Sequence, residues 1–171
     1  MEELFTINFF DENEINQWLP ENLKDHRAEF KQKYFHYFKN KVPTTNCLLL
    51  IDDIPVEKYL YRILDNIIPK GTIYNHFNYD IAIENKTNKP IHWTFLFTLW
   101  LKRSGWVVPK YIKVKYPKSN IILLAPKSES IDSYMQQYLQ PVGLAPLDTD
   151  PQNFSSAIIK LLLQPKEVIS C

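Results

Sequence analysis

The chain has 171 residues, of which 45% are hydrophobic and 23% are charged, and its formal net charge is +1. These values are typical of a globular protein with one core and exclude a disordered or fibrous chain. Its three glycines, Gly71, Gly105 and Gly143, lie far apart. Because the dinucleotide-binding turn, the Walker A phosphate loop and the nucleophile elbow of serine hydrolases need clustered glycines, the sequence excludes all three.

Cysteine and histidine give no sign of a disulfide-linked or metal-bound fold. Cys47 and Cys171 are far apart, and the four histidines form no short-spaced pair, so we expect neither a disulfide framework nor structural zinc. The first residues lack the features of a signal peptide, and no apolar run approaches the roughly 20 residues that span a bilayer. We therefore expect a cytoplasmic protein without membrane association. The sequence does not predict its oligomeric state.

The near-neutral net charge hides two segments of opposite sign. Residues 1–23 contain six acidic residues and no basic one, whereas residues 102–127 contain seven basic residues and no acidic one. Trp106, Tyr111 and Tyr116 interrupt the basic segment, a combination that suits phosphate contacts and base stacking. The alternative is a solvated face, partly complemented by the acidic N-terminus. The predicted nucleic-acid contacts are Lys102, Arg103, Lys110, Lys113, Lys115 and Lys118.

Hydrophobic periodicity predicts the first elements in chain order. They are helices over 11–18 and 21–39, a buried strand over 47–51, a helix over 56–68 that follows Pro55, and strands over 72–77 and 79–84. In 91–101 every odd position is apolar, which is the period of a strand. The turn residues that precede it predict that 79–86 and 91–101 form an antiparallel hairpin.

The last third of the chain alternates between strands and helices. The predicted elements are strand 121–125, helix 130–140, strand 143–147 and helix 152–163. This alternation indicates an α/β fold. We expect a mixed sheet flanked by helices in a core domain over 46–171, with an N-terminal helical extension over 1–45.

The strand predicted around residues 79–86 carries the candidate catalytic residues. Asp80, Glu84 and Lys86 occupy alternate positions and therefore share one face. Two carboxylates and a lysine can hold Mg²⁺ and position water for attack on a phosphodiester. A solvated, salt-bridged face of an antiparallel strand is the alternative. Three polar residues of the next strand are expected beside them: His92, Thr94 and Thr98.

The element order over about residues 55–163 resembles the core of the PD-(D/E)XK nuclease superfamily. The segment Tyr79–Lys86 is similar to the metal-binding Asp and the Glu-x-Lys motif of that family. The resemblance implies a restriction-endonuclease-like core, Mg²⁺ and cleavage of nucleic acid. By this resemblance Asp80 and Glu84 ligate the metal, Lys86 is the catalytic lysine, and Glu57 matches an acid of the preceding helix. Only three residues separate Asp80 from Glu84, fewer than is usual in the family, so an inactive form stays open.

A second resemblance is to the receiver domains of response regulators. Residues 48–55 look like the first strand and its acidic pair, Asp52 and Asp53, and residues 120–125 with the elements after them look like the second half. The positions of the phosphoacceptor, the hydroxyl residue and the lysine would hold Glu84 or Asn85, Leu124 and Leu147. The resemblance therefore implies a pseudo-receiver. It ranks second because a parallel crossover needs a dozen or more residues, and too few lie between the strands predicted over 72–77 and 79–84.

The sequence thus predicts a nucleic-acid-associated protein with a nuclease-like fold, which hydrolyses phosphodiesters with Mg²⁺ if Asp80, Glu84 and Lys86 are active. The alternative is a non-catalytic protein-interaction module, either a degenerate nuclease or a pseudo-receiver. Nucleic acid is the expected partner in the first case and a protein in the second. Mg²⁺ is expected only for an active enzyme.

Overall fold

The computed structural model describes residues 23–38, 45–51, 53–68, 73–76, 90–98, 101, 105–126 and 132–164. Helices and strands alternate along most of these residues. In chain order the elements are α1 (Leu23–Phe38), β1 (Cys47–Leu50), α2 (Ile54–Ile67), β2 (Ile73–His76), β3 (Trp93–Phe97), α3 (Val107–Lys115), β4 (Asn120–Ala125), α4 (Ser133–Leu139), β5 (Gly143–Pro146) and α5 (Pro151–Leu162).

The described strands form one sheet in the order β2-β1-β3-β4-β5, and all four pairings are parallel. The register runs across the sheet: Cys47 is level with Ile73 on one side and Trp93 on the other, and Trp93 is level with Asn120. This strand order is that of doubly wound, flavodoxin-like sheets.

Helices cover both faces of the sheet. The chain moves in one direction from β1 to β2 and in the other from β3 to β5, so right-handed crossovers place α2 on one face and α3 and α4 on the other. The contacts agree, because α3 packs on α4, whereas α5 reaches α2 through the rings of Phe154 and Tyr59, whose centroids lie 6.2 Å apart. The predicted α/β class with flanking helices is confirmed. The helix α1, within the predicted N-terminal extension, packs on α2.

The central strands are buried on both faces. Every residue of β1, β3 and β4 is buried, as expected for parallel strands between two helical layers. β3 keeps its period of two, yet Thr94 is buried as well, and a hydrogen bond with the Ser119 hydroxyl at 2.8 Å satisfies its hydroxyl there. The alternation in 91–101 therefore does not mark a solvated face.

The predicted antiparallel hairpin of 79–86 with 91–101 is wrong. β3 is hydrogen-bonded along both edges, to β1 and to β4, and it runs parallel to both. No edge of β3 remains for 79–86, which lies outside the described residues. Among the described strands there is no antiparallel pair, in contrast to the predicted mixed sheet. The strand that follows β2 in the chain is β3, so residues 77–92 connect the two. They are numerous enough for the crossover that parallel strands require.

Local sequence explains where the helices begin. The Asp53 side chain accepts a hydrogen bond from the Val56 N–H at 3.1 Å and caps α2, which has a proline in its first turn. Asp150 caps α5 in the same way through the Asn153 N–H at 2.8 Å. The predicted helices at 56–68, 130–140 and 152–163 are confirmed within a few residues. None of the helices in the described ranges combines the length and the apolar character that crossing a membrane requires.

Candidate functional site

α3 lies within the basic segment and was not predicted as a helix. It forms around a short buried stripe of Val108, Pro109 and Ile112. Three apolar residues amid lysines give a weak periodic signal, and the spacing of Val108 and Ile112 by four was the available indication in the sequence. The helix fixes which of the predicted basic contacts lie together.

The exposed side of α3 carries a line of an aromatic and two basic side chains. Trp106, Lys110 and Lys113 are spaced i, i+4 and i+7 and therefore lie along one side of the helix. The Lys110 N–H donates to the Trp106 carbonyl at 3.0 Å, which closes the first turn. Lys110 is exposed, Lys113 is half-buried, and Trp106 is 39% exposed. α3 contains no acidic residue.

The other predicted contacts have different positions. The Lys115 ammonium lies 5.6 Å from the ring centroid of Tyr111 and 5.7 Å from that of Tyr116, so its charge faces these rings, away from the line of Lys110 and Lys113. Lys118 is exposed in the turn after α3. Lys102 and Arg103 lie outside the described residues.

Exposed tyrosines of α4 adjoin the lysine line. Tyr134 is 73% exposed and Tyr138 is 37% exposed, and their i, i+4 spacing makes them neighbours on one side of α4. The rings of Trp106 and Tyr138 meet edge to face, with centroids 5.5 Å apart. We call Trp106, Lys110, Lys113, Tyr134 and Tyr138 the α3–α4 surface. The sequence interpretation missed both tyrosines, because only the fold places α4 beside α3.

An acidic residue, Asp132, borders the α3–α4 surface. Asp132 caps α4, and its carboxylate accepts hydrogen bonds from the N–H groups of Tyr134 and Met135 at 2.9 and 3.2 Å. α4 itself carries no charged side chain. The α3–α4 surface is therefore cationic on one side and aromatic on the other, and among the described residues Asp132 places a carboxylate at the N-terminus of α4.

The carboxyl edge of a doubly wound sheet is the usual place for a ligand, at the point where the strand order reverses. Here that point lies between β1 and β3. Among the described residues, Asp53, Glu57 and Thr98 lie near it. Glu57 is 5% exposed, and burial raises the pKa of its carboxyl, partly opposed by the Lys58 ammonium. The described residues contain no group of three or more acidic, histidine or cysteine side chains that could hold a metal ion.

Asp80, Glu84 and Lys86, and with them the predicted Mg²⁺ site, lie outside the described residues. Glu57 lies in the first turn of α2, on the predicted helix. The hairpin that was expected to bring three polar residues beside the acidic pair is not formed, because β3 pairs with β1 and β4. The three residues are buried: His92, Thr94 and Thr98.

His92 belongs to a hydrogen-bonded cluster at the amino ends of the central strands. Its Nδ1 accepts from the Asn46 N–H at 2.9 Å, its N–H donates to the Asn46 carbonyl at 2.8 Å, and its carbonyl accepts from the Asn120 N–H at 2.8 Å. Because Nδ1 is an acceptor, the imidazole is neutral with its proton on Nε2. This cluster joins the amino ends of β1, β3 and β4, and its role is structural.

The positions that the receiver resemblance assigned are partly corrected. The strand between β1 and β4 ends at Phe97, with Thr98 next, so neither Glu84 nor Asn85 follows it. β4 ends at Leu124 and Ala125, and Leu147 follows β5. None of these three described residues carries a hydroxyl or an amine.

Two further reactive side chains are buried in the core. Burial raises the pKa of the Cys47 thiol, which lies within β1. Burial also raises the pKa of Tyr59 to about 12. The hydrogen bond with Ser155 lowers this pKa, and the nearby Asp150 charge raises it further. The Tyr59 hydroxyl is bonded to the Ser155 hydroxyl and to the Pro151 carbonyl. Tyr59 thus links α2 to α5, and both side chains are buried away from any substrate.

Comparisons with known proteins bear on the fold alone. No protein-family model matches the chain, and no curated protein matches its sequence. One solved structure that is similar is described as the crystal structure of adenylate cyclase from Rhodopirellula baltica. The two chains are 15% identical, with a TM-score of 0.56, and the match covers 71% of this chain and 89% of the other. At this identity the similarity shows that the chain has an α/β fold shared with that structure.

Proposed function

We propose that this chain binds nucleic acid through the α3–α4 surface. The observation that carries the proposal is the line of Lys110 and Lys113 on the exposed side of α3, beside exposed aromatic rings. Lysines that contact phosphates release condensed counterions, which supplies most of the sequence-independent affinity of nucleic-acid-binding proteins. The absence of acidic residues from 102–127 leaves this charge unopposed along the segment. We expect binding that is largely independent of sequence.

Affinity measurements on lysine variants test this proposal. We expect the wild-type protein to bind a fluorescently labelled oligonucleotide of about 15 nucleotides in about 50 mM salt. Fluorescence anisotropy of the label measures the affinity. The double variant Lys110→Ala/Lys113→Ala is expected to bind on the order of tenfold more weakly, because two phosphate contacts are lost. Lys160→Ala, which removes an exposed lysine from α5 on the other face of the sheet, is the matched control. Equal affinity of all three proteins would refute the assignment of the interface.

Phosphodiester hydrolysis at Asp80, Glu84 and Lys86 is the catalytic extension of the proposal. Its support is the alternate spacing of two acids and a lysine in the sequence, the groups that bind Mg²⁺ and position water. We expect the protein to cleave nucleic acid in Mg²⁺, and Asp80→Ala and Glu84→Ala to bind substrate without cleaving it. Cleavage that persists in both variants would exclude this site. Binding without cleavage by the wild type would leave a binding protein.

The strand order β2-β1-β3-β4-β5 favours a second candidate, a non-catalytic pseudo-receiver that binds a protein. Three described residues support it, since Leu124 and Ala125 at the end of β4 and Leu147 after β5 carry neither a hydroxyl nor an amine for phosphoryl transfer. We expect no phosphorylation when the protein is incubated with acetyl phosphate and Mg²⁺, as measured by intact mass. A stable increase by one phosphoryl group would contradict a pseudo-receiver.

A further inference from the structure

Exposed aromatic rings lie beside Lys110 and Lys113. A ligand that contacted this surface only through its phosphates would leave these rings unused. Trp106, Tyr134 and Tyr138 are between 37% and 73% exposed, although large aromatic side chains usually bury most of their surface. We infer that the α3–α4 surface is selective for single-stranded nucleic acid, with unpaired bases stacked on these rings and phosphates held by Lys110 and Lys113. This inference rests on the proposed function and adds the class of ligand.

The rings are arranged as separate platforms. The planes of Trp106 and Tyr138 are inclined by 78° and meet edge to face, so a base that stacks on one ring is bounded by the edge of the other. Tyr134 lies one helical turn from Tyr138, about 6 Å along α4. Trp106 and Tyr138 therefore do not form one flat surface, and Tyr134 adds a further ring on the same side of α4.

A duplex cannot use such platforms, because its bases are stacked on one another and their faces are covered. Single-strand-binding proteins combine a cationic track with aromatic side chains on which successive bases stack, and stacking tolerates any sequence. The lysines attract either form of nucleic acid, whereas the rings can stack only with unpaired bases. The expected result is a preference for single strands that depends on the rings.

The combination of cationic side chains and exposed rings favours a nucleic-acid strand as the occupant. α3 presents lysines and no acid, and α4 presents uncharged side chains, with Gln136 and Gln137 exposed beside the tyrosines. Asp132 is the bordering carboxylate within the described part of the chain, and it accepts hydrogen bonds from the N-terminus of α4. A phosphate backbone with bases on one side matches this division into a cationic and an aromatic half.

Three probes of equal length separate stacking from charge: a thymidine single strand, a duplex, and an abasic strand that keeps the phosphates without bases. We expect the single strand to bind about tenfold or more tightly than the other two. Tyr138→Leu, which keeps an apolar side chain against Trp106, is expected to lose about fivefold or more for the single strand only, and Tyr138→Phe to retain wild-type affinity. Tyr134→Ala tests the most exposed ring, where folding is not at issue. Tyr61→Ala, an exposed tyrosine of α2, is the matched control.

The outcomes distinguish this inference from the proposed function. Equal binding of the three probes, weakened by Lys110→Ala/Lys113→Ala but unchanged in the tyrosine variants, would overturn single-strand selectivity and leave nucleic-acid binding standing. Failure of the wild type to bind any probe at low salt would overturn both. In that case the exposed rings are a surface for a protein partner.

Discussion

Glu57 shows how two opposing effects act on one carboxyl. It lies in the first turn of α2, where the helix dipole favours a negative charge, yet its burial removes the water that stabilises that charge. Burial prevails, because the pKa of Glu57 is raised above its ordinary value. The ionised form of Glu57 therefore costs stability in the folded state.

Replacement of Glu57 by glutamine is expected to stabilise the protein at neutral pH. A raised folded-state pKa gives a stabilisation that is complete below the ordinary pKa of 4.5 and is lost as the pH rises through the folded-state pKa. Glu57→Gln stays neutral throughout, so its advantage over the wild type is expected at about pH 7 and shrinks toward about pH 4. Urea unfolding at both pH values measures the difference. Asp65→Asn, at an exposed position of the same helix, is the control. A gain in stability of Glu57→Gln over the wild type that does not change with pH would contradict the prediction.

The helix α4 has seven residues, and its short length makes its cap important for the α3–α4 surface. A helix of this length is unstable on its own. Its position depends on the hydrogen bonds that its first N–H groups donate to the Asp132 carboxylate and on the buried side chains of Met135 and Leu139. Asp132 therefore holds Tyr134 and Tyr138 in place while adding a negative charge beside a surface that we assign to a polyanion.

Serine at position 132 separates the two effects of Asp132. A serine hydroxyl also caps a helix, so Asp132→Ser is expected to unfold at a urea concentration close to that of the wild type. Loss of the carboxylate is expected to tighten nucleic-acid binding about two- to fivefold at low salt, and the gain is expected to fade as salt screens the charge. Asp132→Ala loses the cap and is expected to lose about 1 kcal/mol of stability. Unchanged affinity of a normally folded Asp132→Ser would show that the phosphates lie elsewhere.

The individual elements were largely predictable, whereas the neighbours of the strands were not. The period of two in 91–101 identified β3, because side-chain alternation is a local property of a strand. Its pairing with β1 and β4 depends on residues more than twenty positions away in each direction, which local periodicity does not report. The polar Thr94 made the strand look half-solvated in the sequence and favoured the incorrect hairpin, whereas in the structure Thr94 is buried and hydrogen-bonded to Ser119.

The candidate site divides in the same way. Lys110, Lys113 and Trp106 were visible in the sequence as a basic segment with an interleaved aromatic residue. Tyr134 joined them only through the fold, because β4 lies between α3 and α4 in the chain and the right-handed crossovers bring both helices to one face. The sequence alone also did not show that Lys115 lies apart from the other lysines. The helix turns its ammonium toward Tyr111.

The salt dependence of binding tests the assignment of Lys110 and Lys113 for the molecule as a whole. For single strands, the logarithm of the association constant falls with the logarithm of salt concentration by about 0.7 for each phosphate contact. We predict that Lys110→Ala/Lys113→Ala lowers the magnitude of this slope by about 1.4, whereas Lys160→Ala leaves it unchanged. The same slope in the double variant and the wild type would contradict an interface built on these two lysines.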